Sequence, residues 1–432
     1  VIYSLSEGDY TFHVSQKADN SSDTIVTEIP VTVAPPKVGE VQEVEIVPIA
    51  EEEKFVAQVE GGEKYTSVKA AIDAVGEEGT VKLLRNVTLG DSLSVGKTMT
   101  LDLNGRTITA PEGSHILLVT ANTFTLKDSS GSNAGKLTGG VGSNARGGGV
   151  TIQGGATFVM EGGTITGNNG SKKSAGGVHL IGNAKFIMNG GVITGNTSGT
   201  LRGGVYADMG SVQVSGTATI LGNKGTDGGK EIDSDLWLNT VSNVLLTIGE
   251  GGLSQDAKIG IYINSSPELS KEFTAPYESG RASVNNFVDN RAKYQIVEQD
   301  AEDGQKQLVM MLQKAAAPVA SPAAGTYIGT QTVELSTTTL PEFSKIYYTL
   351  DGSDPTASDT SQEYTGALTI SSSTTVKAYT KGLYKDSLDS DVAEFVYTIN
   401  SAGGGGGGGS SSYSISVDKN IDNGSVTVSP KS

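Results

Sequence analysis

The residues of this chain that could do chemistry are scattered, and spacing decides what each can be. Asn168, Asn196 and Asn223 recur at steps of 28 and 27 residues. A side-chain amide has two donors and an acceptor, so such a series can bond one to the next or line up toward a ligand. The fixed period favours the first reading, a structural ladder of Asn168, Asn196 and Asn223 at a tight corner. Tyr347 and Tyr348 are neighbours in a strand-like run and therefore face opposite ways. One should pack and the other stay open to stack on a sugar ring, which makes the pair the candidate ligand-binding residues. Asp351, Ser353, Asp354 and Asp359 crowd one turn but lack the sixth-position glycine and terminal glutamate of a calcium loop. They read as a β-turn led by Asp-Gly.

Other constellations fail on geometry. The stretch from Gly90 to Gly96-Lys97-Thr98 has five residues where a phosphate loop needs four, and a strand pattern rather than a helix follows it. His13, His115 and His179 lie far apart, with no metal-ligand spacing. No Gly-x-Ser-x-Gly elbow is present. Across residues 147–222 the acids are Glu161 and Asp208, too few for the paired carboxylates of glycoside hydrolysis or an acidic calcium cluster. No catalytic, metal-binding or cofactor-binding residue is assigned, and no cofactor is expected.

Composition narrows the classes further. Lys and Arg total 31 against 48 Asp and Glu, a net charge of −17. That excess argues against nucleic acid, which needs a basic footprint. With no cysteine, disulfides and thiol nucleophiles are excluded. No apolar run reaches the length of a membrane span, so no membrane insertion is expected. The chain opens at Val1 without Met and stops soon after a new strand pattern begins, and is expected to be an internal piece of a longer protein.

The elements that hold these residues follow from an internal repeat. Gly148-Gly-Val150 recurs as Gly176-Gly-Val178 and Gly203-Gly-Val205, and Phe158-Val-Met-Glu-Gly-Gly163 as Phe186-Ile-Met-Asn-Gly-Gly191. Several markers sharing one period identify a stacked-repeat architecture. Each copy contains short strand-forming runs, in the first copy Val150–Ile152, Thr157–Met160 and Thr164–Thr166, separated by glycine corners. Three strands per turn describe a parallel β-helix, each strand pairing with its equivalent one coil away. Upstream, Ser67 can cap a short helix over 67–75, with Gly76 as its left-handed C-terminal residue. This helix is placed to cover the first coil. Leu308–Leu312 is the expected closing strand.

Ser67-Val-Lys-Ala-Ala-Ile-Asp-Ala-Val75, the strand that follows it and Leu101-Asp-Leu-Asn-Gly-Arg-Thr-Ile108 resemble the first coils of pectate-lyase-like right-handed β-helices. The resemblance covers about residues 55–312, and the handedness comes from it and from the crossover rule. Ile346-Tyr-Tyr-Thr-Leu-Asp-Gly-Ser-Asp-Pro-Thr356, Tyr364-Thr-Gly366 and Thr375-Val-Lys-Ala-Tyr379 are similar to the chitobiase/β-hexosaminidase C-terminal β-sandwich family, whose modules are accessory and carry no catalytic groups.

The expected fold class is therefore all-β: a right-handed parallel β-helix with a short N-terminal capping helix, flanked by small β-sandwich modules. The expected segments are 1–34, resembling the end of an immunoglobulin-like module; 35–54, a linker; 55–312, the parallel β-helix; 313–324, an Ala/Pro linker; 325–399, the chitobiase C-terminal-like sandwich; 400–412, a Gly/Ser linker; and 413–432, the start of a surface repeat. The function this implies is a non-catalytic, adhesin-like or glycan-contacting stalk on a bacterial cell surface, wall-anchored or S-layer-associated. Host or cell-wall glycans are the expected partners, and this piece is expected to be monomeric. The alternatives are a polysaccharide lyase or glycoside hydrolase on the same scaffold, with its site in 223–312 and Asp233 and Asp235 as the residues to test, or a purely structural spacer.

Overall fold

The structure is a computed structural model, and the residues described are 8–17, 21–33, 54–143, 146–171, 173–264, 271–291, 294–312, 314–339, 341, 344–383 and 388–401. The expected linkers at 35–54 and 400–412 and the expected surface repeat at 413–432 fall almost wholly outside them. The chain divides into two compact units, residues 1–315 with 382–388 and residues 316–381 with 389–432. The fold is all-β and its strands are mostly parallel.

In the first unit the apolar-polar alternation of each short run becomes a column of parallel strands. The first column is Leu93–Val95, Leu117–Val119, Val150–Ile152, Val178–Leu180, Val205–Ala207 and Leu236–Leu238. The second contains Thr80–Leu83, Met99–Asp102, Thr123–Lys127, Thr157–Met160, Lys185–Met188, Ser211–Gly216 and Leu246–Leu253. The third contains Val87–Thr88, Thr107–Thr109, Lys136–Thr138, Thr164–Thr166, Val192–Thr194 and Thr219–Ile220. Lys258–Ile263 serves two columns at once: Ile259 pairs with Ile220 of the third, and Ile261 with Leu236 of the first.

Register keeps like residues on like positions. Phe124 lies opposite Phe158 and Phe158 opposite Phe186, with ring centroids 5.9 and 5.3 Å apart. Ile108, Leu137, Ile165, Ile193 and Ile220 form a second buried row. Burial of each such side chain contributes about 1.5–3 kcal/mol. Glycine is required where rungs meet. A Cβ on Gly176 would sit 2.4 Å from the Thr197 carbonyl oxygen and 2.6 Å from that of Gly203, and Gly163 and Gly191 both hold φ at +85°, a region that L side chains avoid.

The helix spans Val68–Ala74, with Ser67 accepting from the Ala70 amide as its N-cap. Its C-cap is Val75 in an extended conformation, so Gly76 is not the left-handed residue expected there; positive φ falls on Glu78 at 61°. Lys97, from the rejected phosphate-loop stretch, donates its Nζ to the Val75 and Asp73 carbonyls at 2.6 and 3.1 Å, where a cation meets the negative end of the helix.

At the N-terminal end, Gly8–Lys17 and Thr24–Val33 form an antiparallel hairpin, and Ile25 pairs with Val87 of the third column. These strands were expected to belong to a separate immunoglobulin-like module, yet this pairing makes them edge strands of the large sheet. Asp23 secures the junction by accepting from the amides of Val68 and Gly90 at 2.9 and 3.0 Å. Beyond the columns, Lys306–Leu312 is antiparallel to Tyr294–Asp300 and to Lys271–Glu272, so Leu308–Leu312 ends the unit as part of a hairpin.

The second unit has two sheets about one core. Val319–Ser321, Gln331–Ser336 and Leu368–Ile370 form one; Gly325–Ile328, Ala393–Asn400, Thr374–Gly382, Ser344–Thr349 and Gln362–Glu363 form the other. Val333, Leu335, Ile346, Leu368, Val376 and Tyr397 are among the residues between them. Val319–Ser321 lies inside the 313–324 segment expected as a linker; its pairing to Glu334–Ser336 makes it part of the fold.

Candidate functional site

The ladder residues are among the most enclosed polar groups of the repeat: Asn168, Asn196 and Asn223 are all buried. Asn168 Nδ2 donates to Asn196 Oδ1 at 2.9 Å, and Asn196 Nδ2 to Asn223 Oδ1 at 2.8 Å. Each amide also reaches back to the preceding rung, to the carbonyls of Leu137, Ile165 and Ile193 respectively. Every polar atom is used within the protein, which leaves none for a ligand. The series ends on Asp235, whose Oδ1 accepts from Asn223 Nδ2 at 2.9 Å and whose Oδ2 accepts from Asn290 Nδ2 at 2.8 Å. Burial pushes the Asp235 carboxyl above the usual carboxylate range, against the hydrogen bonds from Asn223 and Asn290. Asp233, by contrast, is exposed and paired with Lys224 at 2.7 Å. Asp235 is thus a buried part of the framework, and Asp233 a surface ion pair.

The accessible chemistry lies on the outer side of the first column. In each strand there the flanking residues enter the core, so the middle one points outward. Register places these middle residues, Thr151, His179, Tyr206, Trp237 and Tyr262, in one row. His179 and Tyr206 stack with centroids 5.1 Å apart, and Tyr206 meets Trp237 edge-on at 4.9 Å. The Arg202 guanidinium lies 4.1 Å from the Tyr206 centroid and 5.9 Å from that of Trp237. Arg291 stands 4.8 Å from Tyr262 and 4.3 Å from Tyr294. Each such contact contributes about 0.5–2 kcal/mol. His179 and Tyr206 are buried, whereas Trp237, Tyr262 and Arg202 are half-buried.

A polar row runs beside the rings, two residues further on in each case. Asn239 Nδ2 donates to Asp208 Oδ1 at 2.9 Å, and Asn264 Nδ2 to Asn239 Oδ1 at 2.8 Å. All three are half-buried. Burial, reinforced by the neighbouring Arg202 charge and opposed by Asp208, pushes His179 down to about 4. Its Nδ1 has no hydrogen-bond partner among the described residues. Burial also raises the Tyr206 and Tyr262 phenols.

Sequence reasoning weighed His179 alone and passed over Tyr206, Trp237 and Tyr262. The signal was an aromatic residue between two aliphatic ones, in Val205-Tyr-Ala207, Leu236-Trp-Leu238 and Ile261-Tyr-Ile263. The Gly-Gly-Val marker that would have aligned them ends at Val205.

The remaining histidines do not join this row. His13 is exposed on the N-terminal hairpin, and His115 lies beside Ser92 and Arg146. Among the described residues no group of three or more His, Cys, Asp or Glu is arranged to hold a metal, and no helix is long and apolar enough to cross a membrane.

In the second unit Tyr348 is buried in the core with its hydroxyl on Gln362 at 3.2 Å. Tyr347 is half-buried, stacked on Tyr379 at 5.9 Å with the Lys381 ammonium 5.7 Å from its ring. Only Tyr347 of this pair presents a surface that a ligand could touch. Asp351 accepts from the Ser353 amide and the Thr360 hydroxyl at 3.0 and 2.8 Å. These hydroxyl and amide donors hold its carboxyl at about 2. Gly352 takes φ +76° in the same turn.

Residues 322–393 match the family model of the Chitobiase/beta-hexosaminidase C-terminal domain. Neither the curated proteins nor the solved structures include one that this chain matches.

Proposed function

We propose that the first unit is a right-handed parallel β-helix and that the chain acts as a non-catalytic, glycan-contacting stalk on a bacterial cell surface. Parallel pairing of equivalent strands one repeat apart supports the coil; the crossover rule and the pectate-lyase-like first coils supply its hand. The match at 322–393 to a domain named for chitobiase and hexosaminidase supports a carbohydrate partner. The observation that carries the reading is the pair of half-buried rings Trp237 and Tyr262, on paired strands, with Asp208, Asn239 and Asn264 beside them. Aromatic rings with adjacent amides and a carboxylate are the groups that hold a sugar by its apolar face and its hydroxyls.

A catalytic role has less support. Hydrolysis requires two carboxylates facing one bond, whereas Asp235 is enclosed in the ladder and Asp233 is engaged with Lys224. The test is a glycan array probed with the whole chain, alongside an assay for new reducing ends or unsaturated uronates. Retention on glycans without turnover is the expected result. Turnover, or an array without a single hit, would overturn the proposal.

A further inference from the structure

We infer that the row built on Trp237 and Tyr262 takes a neutral, extended polysaccharide lying along the stacking direction, one sugar to each rung. This rests on the glycan-contacting reading above and assigns its site, ligand class and orientation.

Trp237 and Tyr262 occupy equivalent positions on adjacent paired strands, and such strands repeat every ~4.8 Å. That distance is close to the advance of one sugar along an extended 1,4-linked chain. The polar row has the same register, because Asn239 follows Leu238 and Asn264 follows Ile263 in paired strands. A polymer aligned with the columns would therefore find the same ring-and-amide pair at successive residues.

Arg202 and Arg291 flank the rings, but Asp208 is tied to Asn239 in the polar row, and Asp289 Oδ1 lies 3.6 Å from Arg291 Nε. The guanidiniums are thereby offset, on a chain whose net charge is already −17. A polyanionic glycan would meet these carboxylates, whereas a neutral one would gain hydroxyl contacts to Asp208, Asn239 and Asn264 without repulsion.

Trp237 is the only tryptophan in the sequence, so its fluorescence reports on this site. The whole chain is titrated with cello- and chito-oligosaccharides of two to six sugars and with oligogalacturonates of the same lengths. Tryptophan emission and calorimetry are both followed. The neutral oligomers should shift the emission, with affinity climbing as the chain lengthens over the first few sugars. Tyr262→Ala and the milder Asn264→Ala should each weaken binding about tenfold while circular dichroism stays unchanged. Tighter binding of oligogalacturonates would overturn this inference and leave the glycan reading standing. So would heat of binding with silent tryptophan emission, abolished by Tyr347→Ala. Absence of binding to any glycan by calorimetry would overturn both.

Discussion

Asn223 Nδ2 donates to Asp235 Oδ1 at 2.9 Å, and through this bond a run of neutral amides ends on a buried carboxylate. Between side chains the direction of the run is uniform: Asn168 donates a hydrogen bond to Asn196, Asn196 to Asn223 and Asn223 to Asp235. Asp235 can end it because a carboxylate only accepts, and it takes Asn223 on one oxygen and Asn290 on the other.

Asp235→Asn removes a buried charge yet should destabilise the protein by about 1–3 kcal/mol, because the new amide would turn a donor toward Asn290 or Asn223. Asn196→Ala should cost about 1–3 kcal/mol, since it strands the buried Asn168 backbone amide, which donates to Asn196 Oδ1, and takes a donor from the Ile165 and Thr194 carbonyls. Urea unfolding of the whole chain, followed at an unchanged slope, measures both. Gains in stability from either change would contradict the ladder.

His179 predicts an acid limb in stability. Its folded-state value of about 4 lies below the ordinary 6.5, so the folded protein binds that proton less readily than the unfolded chain. The contribution is complete above pH 6.5 and is lost as pH falls from 6.5 to 4, reaching about 3 kcal/mol. His179→Phe keeps a ring against Tyr206 and should flatten the profile in that window. The comparison is a pair of unfolding curves at pH 7 and pH 4.5 for each protein.

Glycine substitutions should separate crowding from conformation. Gly176→Ala would press a methyl against three backbone oxygens within 2.8 Å, costing about 1–3 kcal/mol or more. Gly155→Ala meets nothing within 4 Å but must hold φ at +77°, at a cost of roughly 1–2 kcal/mol. Thermal midpoints of the two variants should fall in that order.

Asp23→Ala should loosen the N-terminal hairpin from the first rung. It leaves the Val68 and Gly90 amides without their acceptor, a loss of about 1–3 kcal/mol. Hydrogen exchange should rise at Thr24–Val33 and at residue 68, and remain unchanged at 157–160. Uniform acceleration across the unit would mean that Asp23 supports more than this junction.

The repeat was legible because it is written in the core. Phe158 and Phe186, or Ile165 and Ile193, must match for rungs to stack, and the observed strands Val150–Ile152 and Thr157–Met160 coincide with those expected. The aromatic row was not legible as a row. Its members lie outside the main core, whose packing keeps neighbouring strands alike, and the segments between Tyr206, Trp237 and Tyr262 differ in length. Asp235 misled for a related reason. Next to Asp233 it reads as an acidic pair, and only its bonds to Asn223 and the distant Asn290 show that it belongs inside. The hairpin at 8–33 reads as a separate module in the sequence because its links to the rest, the pairing of Ile25 with Val87 and the contacts of Asp23, leave no local pattern.

The one-way hydrogen bonding of the asparagines bears on how such a chain can change over generations. A duplicated stretch from one asparagine to the next would bring one donor and one acceptor, and would slot in without disturbing what lies on either side. Reach could then lengthen or shorten by ~4.8 Å for each copy gained or lost. Asp235 would remain the fixed terminus from which every such copy is counted.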